Sequence, residues 1–219
     1  MKNTFLLFGL PGSGKGTQSQ ILAQRFGWQH ISCGEIFRWH VKNNSEFGQR
    51  ARTYIERGEL TPDSETTTMF FEHLVQRDLS KTLIIEGFPR TLPQTAALES
   101  FIAANDGHIK QAIFLEAGVE ELVKRISGRR VCPMCGRIYN LYYTPSQKLE
   151  ICDTDGVALE TRTDDKEELV RHRLHTYLAT ESPVWGYFSA KSLLIKINAT
   201  RPIEVVSSDL EKIISNALI

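Results

Sequence analysis

Near the N-terminus, Gly9-Leu10-Pro11-Gly12-Ser13-Gly14-Lys15-Gly16-Thr17 has the composition of a phosphate-binding loop. Glycines let the chain wrap so that successive backbone N–H groups converge on phosphate oxygens, and a helix starting there turns its positive end toward the same anion. Gly12, Ser13, Gly14 and Gly16 make the cradle, the Lys15 ammonium reaches the outer phosphates, and the Thr17 hydroxyl ligates the accompanying magnesium. The generic pattern has Ser or Thr directly after Lys; here Gly16 intervenes. A second group, Cys132-x2-Cys135-x16-Cys152-x2-Asp155, has the spacing of a metal site, because two closely spaced pairs let two knuckle turns deliver ligands to one tetrahedral ion. Three thiolates and a carboxylate suit zinc and leave no open coordination position, so the role is structural; isolated zinc modules gain on the order of 10 kcal/mol of folding free energy this way. Asp153 competes for the fourth place, but only Asp155 repeats the two-residue spacing; a reduced, unligated cluster and a Cys132–Cys135 disulfide are the other readings.

These groups need a scaffold. Thr4–Gly9 is short, apolar and glycine-bounded, as a buried strand would be, and Gln18–Phe26 follows with helical spacing through Ile21, Leu22 and Phe26. Leu83–Ile85 and Ala112–Leu115 read as further buried strands, followed by helix-period stretches at Gln94–Ile102 and Val119–Ile126. Leu194–Ile197 is a fourth strand, and Ile203, Val206, Leu210, Ile213 and Ile214 trace one face of a closing helix. Strands alternating with helices predict an α/β fold, a doubly wound parallel sheet flanked by helices, with ligands at the carboxyl ends of the strands. Two stretches break the alternation. Ser32 to about Gln76 shows mainly helical spacing and no strand, and Gly128 to about Asp165 is turn-rich and holds the cysteine cluster. A structureless loop of that length is improbable inside a compact domain, so the second stretch is expected to have its own fold.

The chain has 219 residues, enough for one main domain with a substantial insertion at about 150 residues per domain. With 41% apolar residues it needs no disulfide to hold a core. Twenty-six basic side chains balance 26 acidic ones, which argues against a dedicated nucleic-acid or membrane-surface binder. The apolar run Phe5–Leu10 is too short for a signal peptide, and nothing approaches the roughly 18 apolar residues of a membrane span. Together with the metal-like cysteine spacing, this predicts a soluble protein of a reducing compartment. No Asn-Lys-x-Asp motif supports a guanine-nucleotide switch. The six histidines lack HExxH spacing and are read as structural or surface residues, and Trp28, Trp39 and Trp185 as packing residues.

The loop variant Gly-x-Pro-Gly-x-Gly-Lys-Gly-Thr resembles that of adenylate kinases, and the resemblance extends along nearly the whole chain. It continues through Ile31-Ser32-Cys33-Gly34-Glu35 with Arg38, Gly58-Glu59-Leu60-Thr61-Pro62-Asp63, and Glu86-Gly87-Phe88-Pro89-Arg90-Thr91 with Gln94. Arg125 with Gly128-Arg129-Arg130 follows, then Thr161-Arg162, Asp164-Asp165 and Arg171-x-Arg173. The long-lid bacterial type carries the same cysteine arrangement. The resemblance implies reversible transfer between ATP and AMP to give two ADP, with magnesium and one structural zinc, by a cytoplasmic monomer that maintains adenine nucleotide balance and binds neither nucleic acid nor membrane. It also implies a core P-loop kinase domain of residues 1–31, 62–127 and 166–219, a helical AMP-binding flap of 32–61, and a zinc-binding lid of 128–165 that closes over ATP.

Position by position, Lys15, Arg90, Arg129, Arg162 and Arg173 resemble the family's catalytic set. Arg38 and Arg90 resemble the residues holding the AMP phosphate, while Arg129, Arg162 and Arg173 close on the transferred group. Planar guanidinium forks suit that task because they grip phosphate bidentately. Arg125 resembles the arginine lying against the ATP adenine, and Arg201 joins the ATP side. The AMP side includes Ser32, Cys33, Glu59, Gly87 and Gln94, together with Arg162 and Arg173; the Gln94 amide offers donor and acceptor to one edge of adenine. Glu86 would orient water on magnesium beside Thr17. Asp164 and Asp165 would hinge or cap the helix starting near Lys166 and hydrogen-bond on lid closure. The chain departs from the family at Cys33, where Thr is usual, and at Glu35 and Glu86, where Asp is usual. Arg201 stands for a common Lys and Asn140 for a common His. None removes the phosphoryl-transfer apparatus; the thiol of Cys33, a poor substitute for a hydroxyl, bears on AMP affinity.

Overall fold

The computed structural model describes residues 3–57, 59–162, 165 and 167–218. Gly58, Asp164 and Lys166, used in the motif readings, lie outside the described residues. Five strands form one sheet: β1 (Asn3–Phe8), β2 (Gln29–Ser32), β3 (Leu83–Glu86), β4 (His108–Glu116) and, after a separate antiparallel pair β5 (Arg129–Val131) and β6 (Ile138–Asn140), β7 (Leu194–Asn198). The order is β2-β3-β1-β4-β7, and every pairing in it is parallel. The sheet is therefore the doubly wound one expected, with β1 at its centre.

Because side chains alternate across a strand, β1 serves both faces. Phe5 and Leu7 pack against Leu22 of α1 (Lys15–Phe26) and against Val206, Leu210 and Ile214 of α8 (Ile203–Leu218). Leu6 and Phe8 turn the other way, onto a cluster fed by four helices. These are α2 (Cys33–Lys42) with Ile36, α4 (Asp63–Leu74) with Met69 and Phe70, α5 (Leu92–Ala104) with Leu98 and Ile102, and α7 (Glu167–Ala190) with Val184 and Phe188. Each such side chain gains about 1.5–3 kcal/mol on leaving water, so the carboxyl end of β1 is held from both sides. Trp28 stacks on Phe5 at 4.9 Å and Trp185 packs on Phe114 at 4.4 Å, as packing residues do; Trp39 instead is 55% exposed.

The helical stretch from Ser32 is α2 (Cys33–Lys42), α3 (Glu46–Arg57) and α4, but it opens on a strand. Ser32 closes β2, which the apolar pattern does not reveal because Ile31 is its one aliphatic residue. The strand exists through backbone pairing with β3, in register from Gln29↔Leu83 to Ser32↔Glu86. The turn-rich stretch after α6 (Val119–Ser127) has a small core of its own: Cys132, Tyr139 and Cys152, with Val157 and Leu159 packed against them beside β5 and β6. Among the described residues no helix is long and apolar enough to cross a membrane.

Candidate functional site

The phosphate loop leaves β1 and enters α1 with Gly12 at φ +82° and Gly14 at φ +95°. A Cβ on Gly12 would stand 2.8 Å from Ile126 Cγ1, so close approach to α6 requires glycine there as well as the backbone angle. Lys15 Nζ arches over the loop and donates to the carbonyls of Gly9 at 2.5 Å and Leu10 at 3.0 Å.

Two chambers open at the carboxyl ends of β1, β2 and β3. The larger is lined by Gly12 to Thr17, Ser32, Glu86, Gly87, Arg125, Arg129, Arg162 and Arg201. The smaller is lined by Cys33, Glu59, Thr61, Thr66 and Gln94. Arg38, Arg90 and Arg173 line both, so they stand where the chambers meet. Residues from Gly12 to Arg201 are thus brought together around one continuous cleft. The cysteine cluster is a separate site, beside β5 and β6.

The cations are organised by carboxylates. Arg129 grips Asp165 through two donors, Nε to Oδ2 at 2.7 Å and Nη2 to Oδ1, and Arg173 Nη1 lies 3.9 Å from the same carboxylate. Arg125 donates to Glu121 at 2.7 Å and lies 5.4 Å over the Tyr143 ring; Asn140 donates to the Arg125 carbonyl at 2.8 Å. Arg201 pairs with Asp209 at 2.7 Å. Burial lowers the Lys15 pKa against the opposing pull of Glu86 and Glu181. Burial pushes the Cys33 thiol up to about 12 despite neighbouring Arg90 and Arg38, so it is a neutral thiol at physiological pH.

Burial also acts to raise Glu86, but the His30 ring and the Lys15 ammonium overcome it and hold the carboxyl at about 2. A carboxyl depressed below its unfolded value of 4.5 stabilises the fold fully above that value, and loses the contribution as pH falls toward 2. The stability gap between wild type and Glu86→Gln, measured by urea unfolding, is therefore expected to narrow by up to about 3 kcal/mol between pH 6 and pH 2. A gap that stays constant with pH counts against this electrostatic account.

The adenylate kinase family model matches residues 7–193. The chain belongs to the adenylate kinase family. An adenylate kinase of Lachnospira eligens is 38% identical over 209 residues, covering 95% of this chain and 98% of its own. One from Chloroherpeton thalassium is 39% identical over 213 residues, covering 97% and 98%, and one from Staphylococcus aureus 37% over 211 residues, covering 96% and 98%. As a member of this family the chain is a nucleoside monophosphate kinase, a phosphotransferase.

One residue lining this kinase's cleft, Tyr177, and two that stand behind it, Asp63 and His30, have parts that a sequence reading does not assign. Asp63, at the start of α4, accepts from Gln94 Nε2 and from the Thr91 hydroxyl, both at 2.7 Å. The Gln94 carbonyl accepts the Arg90 N–H at 2.8 Å. The amide expected to read adenine is thus oriented by the protein, with one N–H and one lone pair left over by count. His30, read as structural or surface, has Nε2 3.6 Å from Glu86 Oε1. Tyr177 has Arg90 Cζ 4.3 Å and Arg173 Cζ 5.9 Å from its ring centre; its place four residues after Arg173 was the one signal available.

Beside β5 and β6, the sulfurs of Cys132, Cys135 and Cys152 and a carboxylate oxygen of Asp155 lie within 4.8 Å of one another, and all four cysteines of the chain are free thiols, so no Cys132–Cys135 disulfide forms. The two knuckles share their closing backbone bond and their glycine turn. Cys132 N donates to Arg137 O at 2.9 Å and Cys152 N to Val157 O at 2.8 Å. Met134 N and Asp155 N point at the preceding cysteine sulfurs, each at 3.4 Å, and Gly136 and Gly156 turn the chain at φ +74° and +68°. Cys135 Sγ and Cys152 Sγ stand 3.8 Å apart, as two thiolates about 2.3 Å from one tetrahedral zinc would. The Asp153 carboxylate is turned aside, accepting from Gln147 N at 2.9 Å.

Proposed function

We propose that the chain catalyses reversible, in-line transfer of the terminal phosphoryl group of ATP to AMP, forming two ADP. The observation that carries this reading is the junction of two chambers at shared Arg38, Arg90 and Arg173, one chamber built on the phosphate loop and the other ending at Gln94. Two nucleotides entering from opposite sides bring their phosphates together among these guanidinium groups. An AMP phosphate oxygen attacks the terminal phosphorus, and the bond to the oxygen bridging to the next phosphate breaks as the new one forms. Such a reaction needs positioning and positive charge rather than covalent help.

The loop N–H groups and Lys15 hold the outer ATP phosphates, with Arg125 and Arg201 on the ATP nucleoside side. Arg38 and Arg90 hold the AMP phosphate, and Arg129, Arg162 and Arg173 neutralise the group in flight. Ser32, Cys33, Glu59, Gly87 and Gln94 complete the AMP side. Thr17 and ionised Glu86 line one chamber and offer the hard oxygen donors that magnesium prefers. Magnesium bound there would offset charge along the phosphate chain. Residues 32–61 act as the AMP flap and 128–165 as the lid, which one zinc holds folded through the four-ligand cluster. The four free thiols suit a reducing cytoplasm, and the kinase is read as a monomer.

A panel of nucleoside monophosphates with Mg-ATP tests the reading. AMP is expected to exceed CMP, UMP and GMP by about 10²-fold or more in kcat/KM, because an oriented amide left unpaired by the wrong base is costly. No ADP from ATP and AMP would sink the reaction assignment, and equal use of all four would sink base selection by Gln94.

A further inference from the structure

Arg173, Tyr177 and Glu181 recur at every fourth residue of α7 and so share one face of that helix. The first two meet the cleft, whereas Glu181 is 5% exposed and lines neither chamber. Its carboxylate Oε1 lies 3.7 Å from Arg90 Nε. The same Nε donates to the Gly87 carbonyl at 2.8 Å, and the Tyr177 ring faces the guanidinium at 4.3 Å.

We propose that Glu181 is a positioning residue for phosphoryl transfer: buried behind the cleft, it fixes the Nε edge of Arg90 so that the guanidinium meets the phosphates in one orientation. The inference rests on the reading of Arg90 as a phosphate ligand. Three features favour it over a pair that serves stability alone. A buried carboxylate is costly unless cations repay it, and replacing a buried pair by apolar groups is often neutral or better for stability. Burial drives the Glu181 pKa upward, while Arg90 first and Lys15 second oppose it. Both of those cations are phosphate ligands in the proposed mechanism. Arg90 lines both chambers, so a small rotation of its plane displaces contacts to two substrates at once. The Gly87 carbonyl takes the Nε–H and the Tyr177 ring covers the guanidinium, and Glu181 adds a carboxylate beside the same Nε edge.

The test compares wild type, Glu181→Gln, Glu181→Asp, Arg90→Lys and the Glu181→Gln/Arg90→Lys double variant in steady-state assays with ATP and AMP, alongside thermal melting. Glu181→Gln is expected to lower kcat about tenfold and to raise KM for AMP more than KM for ATP, as loss of a residue supporting a catalytic group does. Glu181→Asp keeps the charge on a shorter stem and is expected to lose only about threefold in kcat. On the Arg90→Lys background, Glu181→Gln should slow the enzyme by less than about twofold, because both changes act through one guanidinium. If Arg90→Lys is impaired while Glu181→Gln keeps wild-type kcat and KM for AMP, the proposal is wrong. It is equally wrong if the two losses simply multiply. If Glu181→Gln does not fold, Glu181→Asp decides alone: a kcat equal to wild type overturns the proposal. An unimpaired Arg90→Lys instead overturns the assignment of Arg90, a result distinguishable from the others.

Discussion

Lys15→Met is expected to lower the rate of ADP formation by about 10³-fold while the protein remains folded, the scale on which loss of one preorganised charge at a developing anion is measured. The argument begins with burial. Lys15 is held over the loop by the carbonyls of Gly9 and Leu10, so its ammonium is already aimed at the cradle before substrate arrives. Burial lowers its pKa, and Glu86 and Glu181 oppose that shift. Methionine keeps the length and the apolar stem but removes the charge that the terminal phosphates meet. Two loop carbonyls lose a donor, but Leu10 O keeps the Ser13 N–H at 3.1 Å, so the cost of about 1–3 kcal/mol falls mainly on Gly9 O, partly offset because a buried ammonium no longer has to be desolvated. Melting curves and single-turnover rates separate the two effects. A rate within tenfold of wild type, in a protein that melts normally, would remove Lys15 from the mechanism.

Cys152→Ser is expected to cost the lid its metal. Wild-type protein purified without chelator should carry one zinc per chain by atomic emission, and the variant less than about a tenth of that, since a serine hydroxyl is not a thiolate ligand. The lid has few apolar residues behind its ligands, with Tyr139, Val157 and Leu159 as its main packing. Metal binding in such modules supplies on the order of 10 kcal/mol of folding free energy, far more than those three side chains provide. Residues 128–165 should therefore lose amide-exchange protection in the variant while the parallel sheet keeps its own. KM for ATP should rise, because Arg129 lies in β5, within the proposed lid. Undiminished zinc in Cys152→Ser would overturn the ligand set.

Legibility differed from residue to residue. The phosphate loop, the cysteine knuckles and most strands of the sheet could be read directly, because each depends on residue type at short spacing. The four knuckle residues even carry their backbone geometry in their pattern: the glycine after each pair marks the turn. β2 could not be read, since three of its four residues are polar and its strand character comes from β3 alongside it. The lid strands β5 and β6, three residues each, were hidden among turn signals for the same reason. The parts played by His30 and by Asp63, the latter quoted only as the end of a motif, could not be read because each acts across a fold-dependent contact, His30 on Glu86 and Asp63 on Thr91 and Gln94. Gln94 itself stood out in the sequence as an amide of interest, but its hydrogen-bond partners, which determine what it can still offer a base, depend on two helix starts meeting.

By itself the amino-acid sequence determined which chemical groups this protein carries: a glycine-rich loop with its lysine, a run of guanidinium groups, a cluster of three cysteines and an aspartate, and an α/β alternation to hold them. Local spacing suffices for these, because a motif is a property of a few neighbouring residues and of the backbone angles they permit. Tertiary structure alone decided how that chemistry is supported. The carboxylates that orient the cations, Asp165 on Arg129 and Glu181 on Arg90, come from distant parts of the chain. Their partnership, and the raised proton affinity of Glu181, arise from shared burial, a property of the packed fold that no short stretch of sequence contains.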